Sequence, residues 1–386
     1  MLKLPIPEKG LGEDVLKVIA ELSKEEPKLG DRKSLGPMMS KPNPTLVKAF
    51  IEFLDRNLND YVRFKTSWRL AQEALSMLCE LFNGRKCDGI ITYGGSESNL
   101  TGLYILREVG VKHLLVPKSA HTSVFKAAKI LQMKTLVFDV DSKLRGDVNS
   151  ALRKLREVNN VGSVGLVLTV GNTETGAVDP VKDFHEEMPD VPIHVDGAYG
   201  AILIPFLEGL GRKYPEFDFR VESVFSISVD GHKNLLTPIP SGALLLKDKS
   251  LLELIAFKAT YFLGEDKQYG LLWSRSAGSA ATLWASLMYY GKEGLSKMFA
   301  DLMRLTEYAY DRLTSEGFEV VEPELPILCF KHDRLSYLKI WSKLNELGWY
   351  VYSCPSLEGI KITIMPHVSE EVIDALIQDL KKIVNQ

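Results

Sequence analysis

No stretch of this sequence approaches the roughly 18 consecutive apolar residues that span a bilayer. The opening Met1-Leu2-Lys3-Leu4-Pro5-Ile6-Pro7 has no apolar core of signal-peptide length, so we expect a cytoplasmic chain. Basic excess is missing too. Lys and Arg number 47 against 50 Asp and Glu, a formal charge of −3, which excludes the concentrated positive face that nucleic acids require. Cysteine is scarce. Cys79, Cys87, Cys329 and Cys354 lack C-x-x-C spacing, so we expect four ordinary thiols, with neither a metal site nor a disulfide framework. Internal repeats and low-complexity tracts are absent. What remains is a globular composition, 45% hydrophobic and 25% charged over 386 residues, long enough for two domains or one large domain with an appendage.

Residues 1–85 read as helical and irregular. Val15, Ile19 and Leu22 recur at helical spacing, Asn43-Pro44 opens a helix expected to reach Asn57, and Ser67 to Phe82 places Ala71, Ala74, Leu75, Leu78 and Leu81 on one face. With no sheet of its own, this segment is expected to pack on another element or a second subunit. From residue 88 short apolar runs alternate with helical patterns, at 89–92, 113–116, 135–138, 164–168, 193–195, 224–227 and 243–246. Runs apolar on both faces and separated by helices predict a mostly parallel seven-stranded sheet covered on both sides, in an α/β domain spanning 86–275. The last strand follows a short loop and is expected to be antiparallel. Residues 276–386 read as linking helices (278–290 and 292–315) and a small C-terminal α+β domain.

In open α/β sheets ligands sit beyond the carboxyl ends of the strands, so the residues after each run matter most. After the first come Tyr93-Gly94-Gly95-Ser96-Glu97-Ser98-Asn99. The glycines allow close backbone approach, Ser96 is expected to cap the next helix, and the free N–H groups there suit a phosphate. The second run leads to His121 at a helix start. The fourth leads to Gly171-Asn172-Thr173-Glu174-Thr175-Gly176, and the fifth to His194-Val195-Asp196-Gly197-Ala198. A carboxylate ending a buried strand needs a partner, and a protonated pyridine nitrogen is one; Ala198 is small enough to lie against a flat ring. The sixth run ends in Asp230-Gly231-His232-Lys233, where a desolvated amine would be nucleophilic toward carbonyls. Each site alone is equally a strand–turn–helix junction, a polar turn or a lysine at a strand mouth. Together they are the parts of a site for pyridoxal 5'-phosphate (PLP): phosphate cup, flat surface, acidic partner and lysine.

In these motifs, GGSESN at 94–99, PKSAH at 117–121, GNTETG at 171–176, HVDGAYG at 194–200 and SVDGHK at 228–233, the chain resembles the group II PLP-dependent amino acid decarboxylases, and more closely their archaeal tyrosine/aspartate/glutamate branch, over roughly residues 30 to 385. The resemblance implies PLP fold type I, the aspartate-aminotransferase-like architecture, and a homodimer with its active site between subunits. It implies that Gly95 and Ser96 hold the phosphate, that His121 stacks on the ring with Ala198 on the opposite face, and that Thr173 lies near the ring substituents. Asp196 would pair with the ring nitrogen, His232 would contact phosphate or substrate, and Lys233 would bind the cofactor covalently. Family members use a tyrosine on a mobile loop as proton donor; here Tyr269, in 264–270, is the candidate, and it is equally an ordinary loop tyrosine. The chain departs from the family at Gly231, where proline is frequent, and at 58–66, where a Gly/Pro-rich loop is frequent. Arg275 is either structural or a carboxylate contact.

The activity so implied is decarboxylation of an L-amino acid to its amine and CO2. A departing carboxylate should not be tightly paired with a cation, so its surround is expected to be apolar or weakly polar. For the side chain, Lys41, Arg63 and Lys65 point to aspartate or glutamate, whereas Tyr61, Phe64 and Trp68 would suit tyrosine; the acidic reading is preferred. The alternatives are a PLP-dependent C–C or C–S lyase, the latter using Cys354, and an inert PLP-binding homologue.

Overall fold

The computed structural model describes residues 6–258 and 267–385. Helix α1 (Val15–Leu22) has no buried residue, and its Leu16 is 68% exposed. Helix α2 (Pro44–Glu52) is capped by the Asn43 side chain, which accepts the N–H of Thr45. It stops short of the expected Asn57, whose amide oxygen instead accepts the backbone N–H groups of Asn59 and Arg275. Helix α3 (Lys65–Leu81) buries Ala71, Ala74, Leu75 and Leu78. It packs within the chain, against the first strand and the long helix α10 described below. Of the two expected settings, another element or a second subunit, α2 and α3 take the first, packing on elements of the same chain, while α1 buries none of its residues.

Seven strands form the central sheet: β1 (Asp88–Thr92), β2 (His113–Pro117), β3 (Lys134–Phe138), β4 (Val164–Thr169), β5 (Ile193–Asp196), β6 (Val224–Asp230) and β7 (Gly242–Leu246), in the order β1-β7-β6-β5-β4-β2-β3. All neighbours are parallel except those of β7, which runs antiparallel to both β1 and β6. The predicted antiparallel strand is thus an interior one. Crossovers are made by α4 (Gly95–Glu108), α5 (Thr122–Ile130), α6 (Val148–Leu155), α7 (Val181–Glu187) and α8 (Leu203–Gly209), and the four-residue α9 (Gly231–Asn234) follows β6. Strands β4 and β7 are buried along their whole length, which is why they read as unbroken apolar runs.

A two-residue pair, β8 (Phe257–Lys258) with β9 (Lys267–Gln268), precedes α10 (Gly278–Ser315). The latter is two helices joined at Gly291, whose φ of 57° and ψ of −176° break the helical path. A second sheet, β10 (Glu319–Val320), β11 (Ile327–Lys331), β12 (Tyr352–Cys354) and β13 (Gly359–Thr363), is antiparallel in the order β10-β11-β13-β12. It packs with α11 (Tyr337–Glu346) and α12 (Glu370–Val384). Among the described residues no helix is long and apolar enough to cross a membrane.

Cys79 at the end of α3 and Cys87 before β1 are joined by a disulfide with Cα atoms 5.6 Å apart, which corrects the expectation of four free thiols. Their spacing fits no sequence motif, and it is the turn between α3 and β1 that brings them together. Cys329 and Cys354 are free and buried.

Candidate active site

The carboxyl ends of β1, β2, β4, β5 and β6 face the small sheet across a cavity of about 400 Å³. Gly95, Ser96, His121, Thr173, Asp196, Ala198, His232 and Lys233, all eight residues expected to hold the cofactor, line it. Tyr269 does not: its hydroxyl donates to Glu253 at 3.1 Å, and it lines a separate small cavity with Tyr61, Trp68 and Arg275. Of its loop, residues 264–266 lie outside the described residues.

The cup is built from β1 into α4. Gly94, with φ 120°, precedes the helix. A Cβ there would stand 2.7 Å from His232 Cε1, so both the positive φ and the close approach require glycine. The helix starts at Gly95 with no side-chain cap, so Ser96 is not the cap expected of it. Instead the Glu97 carboxylate accepts the N–H of Tyr93 at 2.7 Å, and burial raises the pKa of that carboxyl. The Gly95 N–H donates to Asp230 at 2.6 Å. Ser96 lines the cavity, and the remaining first-turn N–H groups have no acceptor one turn back.

Lys233 keeps 20% of its side chain exposed and meets Asp230 at 3.0 Å, while His232 Nε2 stands 3.6 Å from the same carboxylate. The amine is thus ion-paired rather than stripped of partners as expected. His232 Nδ1 contacts the carbonyl of Ser241 at 2.8 Å. Asp196 is buried and held by three donors: Asn99 Nδ2 at 2.8 Å, Ser228 Oγ at 3.2 Å and the Ala198 N–H at 3.3 Å. Its desolvation is met by neutral donors, and the same carboxylate lines the cavity. His121, at the start of α5, accepts the Ser123 N–H through Nδ1.

Three contributors escape a reading of the sequence. Asn99 lies one turn into α4, Asp230 is hidden beside the more conspicuous His-Lys pair, and Lys361 comes from the far sheet. Lys361 is 2% exposed, sits with Nζ 5.2 Å from the Tyr352 ring centre, and lines the cavity. Burial, helped by the charge of Lys233, lowers its pKa to about 8. The only signal was a lysine inside the apolar run Ile360-Lys361-Ile362. Conversely Lys41, Arg63, Lys65, Tyr61, Phe64 and Trp68 do not line this cavity. Arg63 faces Asp60 at 3.7 Å, and Tyr61 stacks on Trp68 with ring centres 5.3 Å apart. The N-terminal region reaches the site through Pro37, Met38 and Met39. Arg275 is structural, buried and bonded to Asn59 Oδ1 at 3.0 Å and to the carbonyl of Ile91. Cys354 is buried and absent from the cavity lining. Its contact with Cys329, together with burial, raises its thiol pKa, the opposite of what a nucleophilic thiolate needs.

A seven-stranded, mostly parallel sheet with a small C-terminal domain and these loops is PLP fold type I. Solved structures share it: a Burkholderia pseudomallei sphingosine-1-phosphate lyase (TM-score 0.88, 23% identity, covering 100% of this chain and 93% of that one) and a Lactobacillus brevis glutamate decarboxylase (TM-score 0.88, 19% identity, 100% and 95%). The pyridoxal-dependent decarboxylase conserved domain matches residues 68–333. A probable L-tyrosine/L-aspartate decarboxylase of Methanothermobacter thermautotrophicus is 38% identical over 90% of this chain and 96% of its own length. The L-aspartate decarboxylase of Thermococcus kodakarensis is 31% identical over 98% of each. The chain belongs to the pyridoxal-dependent decarboxylases, and its activity is PLP-dependent decarboxylation of an amino acid.

Proposed function

We propose that the substrate is an amino acid with an acidic side chain, aspartate or glutamate. The observation that carries this is Lys361, a buried cation sharing the cavity with Lys233. A carboxylate that must depart is not helped by ion pairing in the ground state, and Pro37, Met38, Met39 and Ile239 supply an apolar lining for it. Lys361 is then free to hold a second carboxylate. The relatives named for L-aspartate support this reading. Tyrosine is the second reading, favoured by the Tyr352 ring in the cavity wall and by the relative also named for L-tyrosine.

The bound cofactor supplies an electron-withdrawing ring that accommodates the electrons left when CO2 departs. The protein's own groups do the rest in this proposal. Lys233 is the attachment point, Ser96 and the first turn of α4 hold the phosphate, His121 and Ala198 flank the ring, and Thr173 and His232 position its substituents. Asp196, ionised and buried, pairs with the ring nitrogen. The residues fit such a group: the cup has no room for a Cβ at Gly94, and Thr169 Oγ1 is buried on the cavity wall with no partner.

A homodimer belongs to the same proposal. A groove of about 560 Å³ lined by Leu100, Ala127, Ile130, Leu271 and Leu272 shares Ser96, His121 and Ser123 with the site, and a second copy of the chain would close it. Tyr269 would then act as proton donor only from across that interface. Cytoplasmic localisation stays part of the proposal, resting on composition. Incubating the protein with PLP and aspartate, glutamate or tyrosine, with amine and CO2 assayed together, tests the substrate. Turnover of tyrosine alone defeats the acidic reading; CO2 from none defeats catalysis by this chain. A monomer by light scattering defeats the dimer.

A further inference from the structure

Behind Asp196 lies a second row of buried polar groups that the reaction does not touch. Asn99 Nδ2 donates to Asp196 Oδ2 at 2.8 Å and to Ser123 Oγ at 2.9 Å. Asn99 Oδ1 lies 3.0 Å from His194 Nε2, and His194 Nδ1 lies 2.7 Å from Ser226 Oγ. Asn99, His194 and Ser226 are all at most 1% exposed. Space for the imidazole is made on α4: a Cβ at Gly102 would stand 2.7 Å from His194 Nδ1.

We propose that His194 is a positioning residue. Through Asn99 it fixes the direction of a buried hydrogen-bond chain, Ser226–His194–Asn99–Asp196, that presents Asp196 to the cavity as an ionised acceptor. The proposal rests on the reading of Asp196 as partner of the cofactor's ring nitrogen.

The direction follows from donor and acceptor rules alone. A backbone N–H can only donate. The Ser123 N–H points at His121 Nδ1, so that nitrogen is an acceptor. The Ser123 hydroxyl, 2.8 Å from the same nitrogen, therefore donates to it and must accept from Asn99. This turns the amide nitrogen of Asn99 toward Ser123 and Asp196 and its oxygen toward His194. A carbonyl oxygen only accepts, so His194 carries its proton on Nε2. Burial keeps this imidazole neutral, lowering its pKa to about 4, so Nδ1 is bare and Ser226 donates to it. Every hydrogen in the row points toward Asp196. The opposite polarity, with the Asn99 oxygen facing Asp196, is self-consistent only if Asp196 is protonated, the form that cannot pair with a protonated ring nitrogen. The same row sets His121, leaving its Nε2 as the protonated nitrogen, so one chain orients both the ring partner and the stacking imidazole.

Nitrogen NMR of the cofactor-free protein with labelled histidine reads the wild-type tautomer directly. His194 is expected neutral, with its proton on Nε2. A proton on Nδ1, or an imidazolium at neutral pH, overturns the proposal whether or not any variant folds. PLP affinity, measured by fluorescence titration, gives a second readout. His194→Gln retains an N–H for Asn99, and its dissociation constant is expected to stay within about threefold of wild type. His194→Phe leaves the Asn99 oxygen unpaired, and its constant is expected to rise about tenfold. Equal losses in the two variants, or none in His194→Phe, overturn the proposal. Asp196→Asn separates the underlying reading: if it binds PLP like wild type, the ring-nitrogen pairing fails. If it binds weakly while His194→Phe binds normally, that pairing stands and the positioning role falls.

Discussion

The Lys233 amine and the Asp230 carboxylate meet at 3.0 Å across the start of α9, and Asp230 also accepts the Gly95 N–H. One carboxylate, 3% exposed, therefore ties Lys233 to the first turn of α4. Asp230→Ala would leave a partly buried amine and a buried N–H without partners. We expect the cofactor-free protein to lose about 2–3 kcal/mol of stability, read by urea titration. An unchanged midpoint would show that the pair contributes nothing to the fold.

If Lys361 anchors a substrate carboxylate as proposed, substrate binding should depend on pH. Burial lowers its pKa to about 8, so the ammonium is present below that pH and lost above it. The KM for a dicarboxylic amino acid is expected to rise as pH passes through 8. In Lys361→Met it should be about tenfold higher at pH 7 and insensitive to this range, given what a charged hydrogen bond contributes. A KM unmoved by the substitution would exclude Lys361 as the anchor.

His194 gives stability an acid limb. Its pKa falls from 6.5 unfolded to about 4 folded, so between those values the unfolded chain binds the extra proton. Its contribution is complete above pH 6.5 and is lost as pH falls toward 4, about 3 kcal/mol in all. Asp179, buried and with its pKa raised to about 7, works in the opposite direction. Melting temperature against pH should therefore be compared between wild type and His194→Gln, where the Asp179 contribution cancels. From pH 6.5 toward pH 4 the wild-type curve should fall relative to the variant's; parallel curves would refute the assignment.

The Cys79–Cys87 bond closes a short loop, with a sequence separation of 8. Its removal in Cys79→Ser/Cys87→Ser is expected to destabilise by about 2–3 kcal/mol. Denatured without reductant, the protein should titrate as two thiols rather than four. Four thiols would place these cysteines in the reduced form normal for a cytoplasmic protein.

Gly231 occupies a position where a side chain has no room. A Cβ there would stand 2.7 Å from Ser241 Oγ and 2.9 Å from Thr237 Oγ1, two buried hydroxyls without partners. The Gly231 N–H also donates to the carbonyl of Ser241. Gly231→Pro, which would restore the residue frequent in the family, should destabilise by about 2–4 kcal/mol through overpacking and the lost bond. Adding Ser241→Ala should recover part of this. A proline variant as stable as wild type would show that the loop yields.

The sequence by itself determined the sheet and the loops at its carboxyl ends. Periodicity and glycine placement are local properties, and parallel strands carry their following loops to one edge. Hence 94–96, His121, Thr173, Asp196 and 232–233 converge as expected. The destination of lone side chains was decided by tertiary structure. Lys361 reaches the cavity only because the small sheet packs over the large one, whereas Arg63 and Trp68 turn away from it. Cys79 and Cys87 bond because a helix end and a strand start meet. Asn99 and His194 lie inside motifs that the sequence displays, but their contact with each other and with Asp196 exists only because α4 and β5 are brought together by folding.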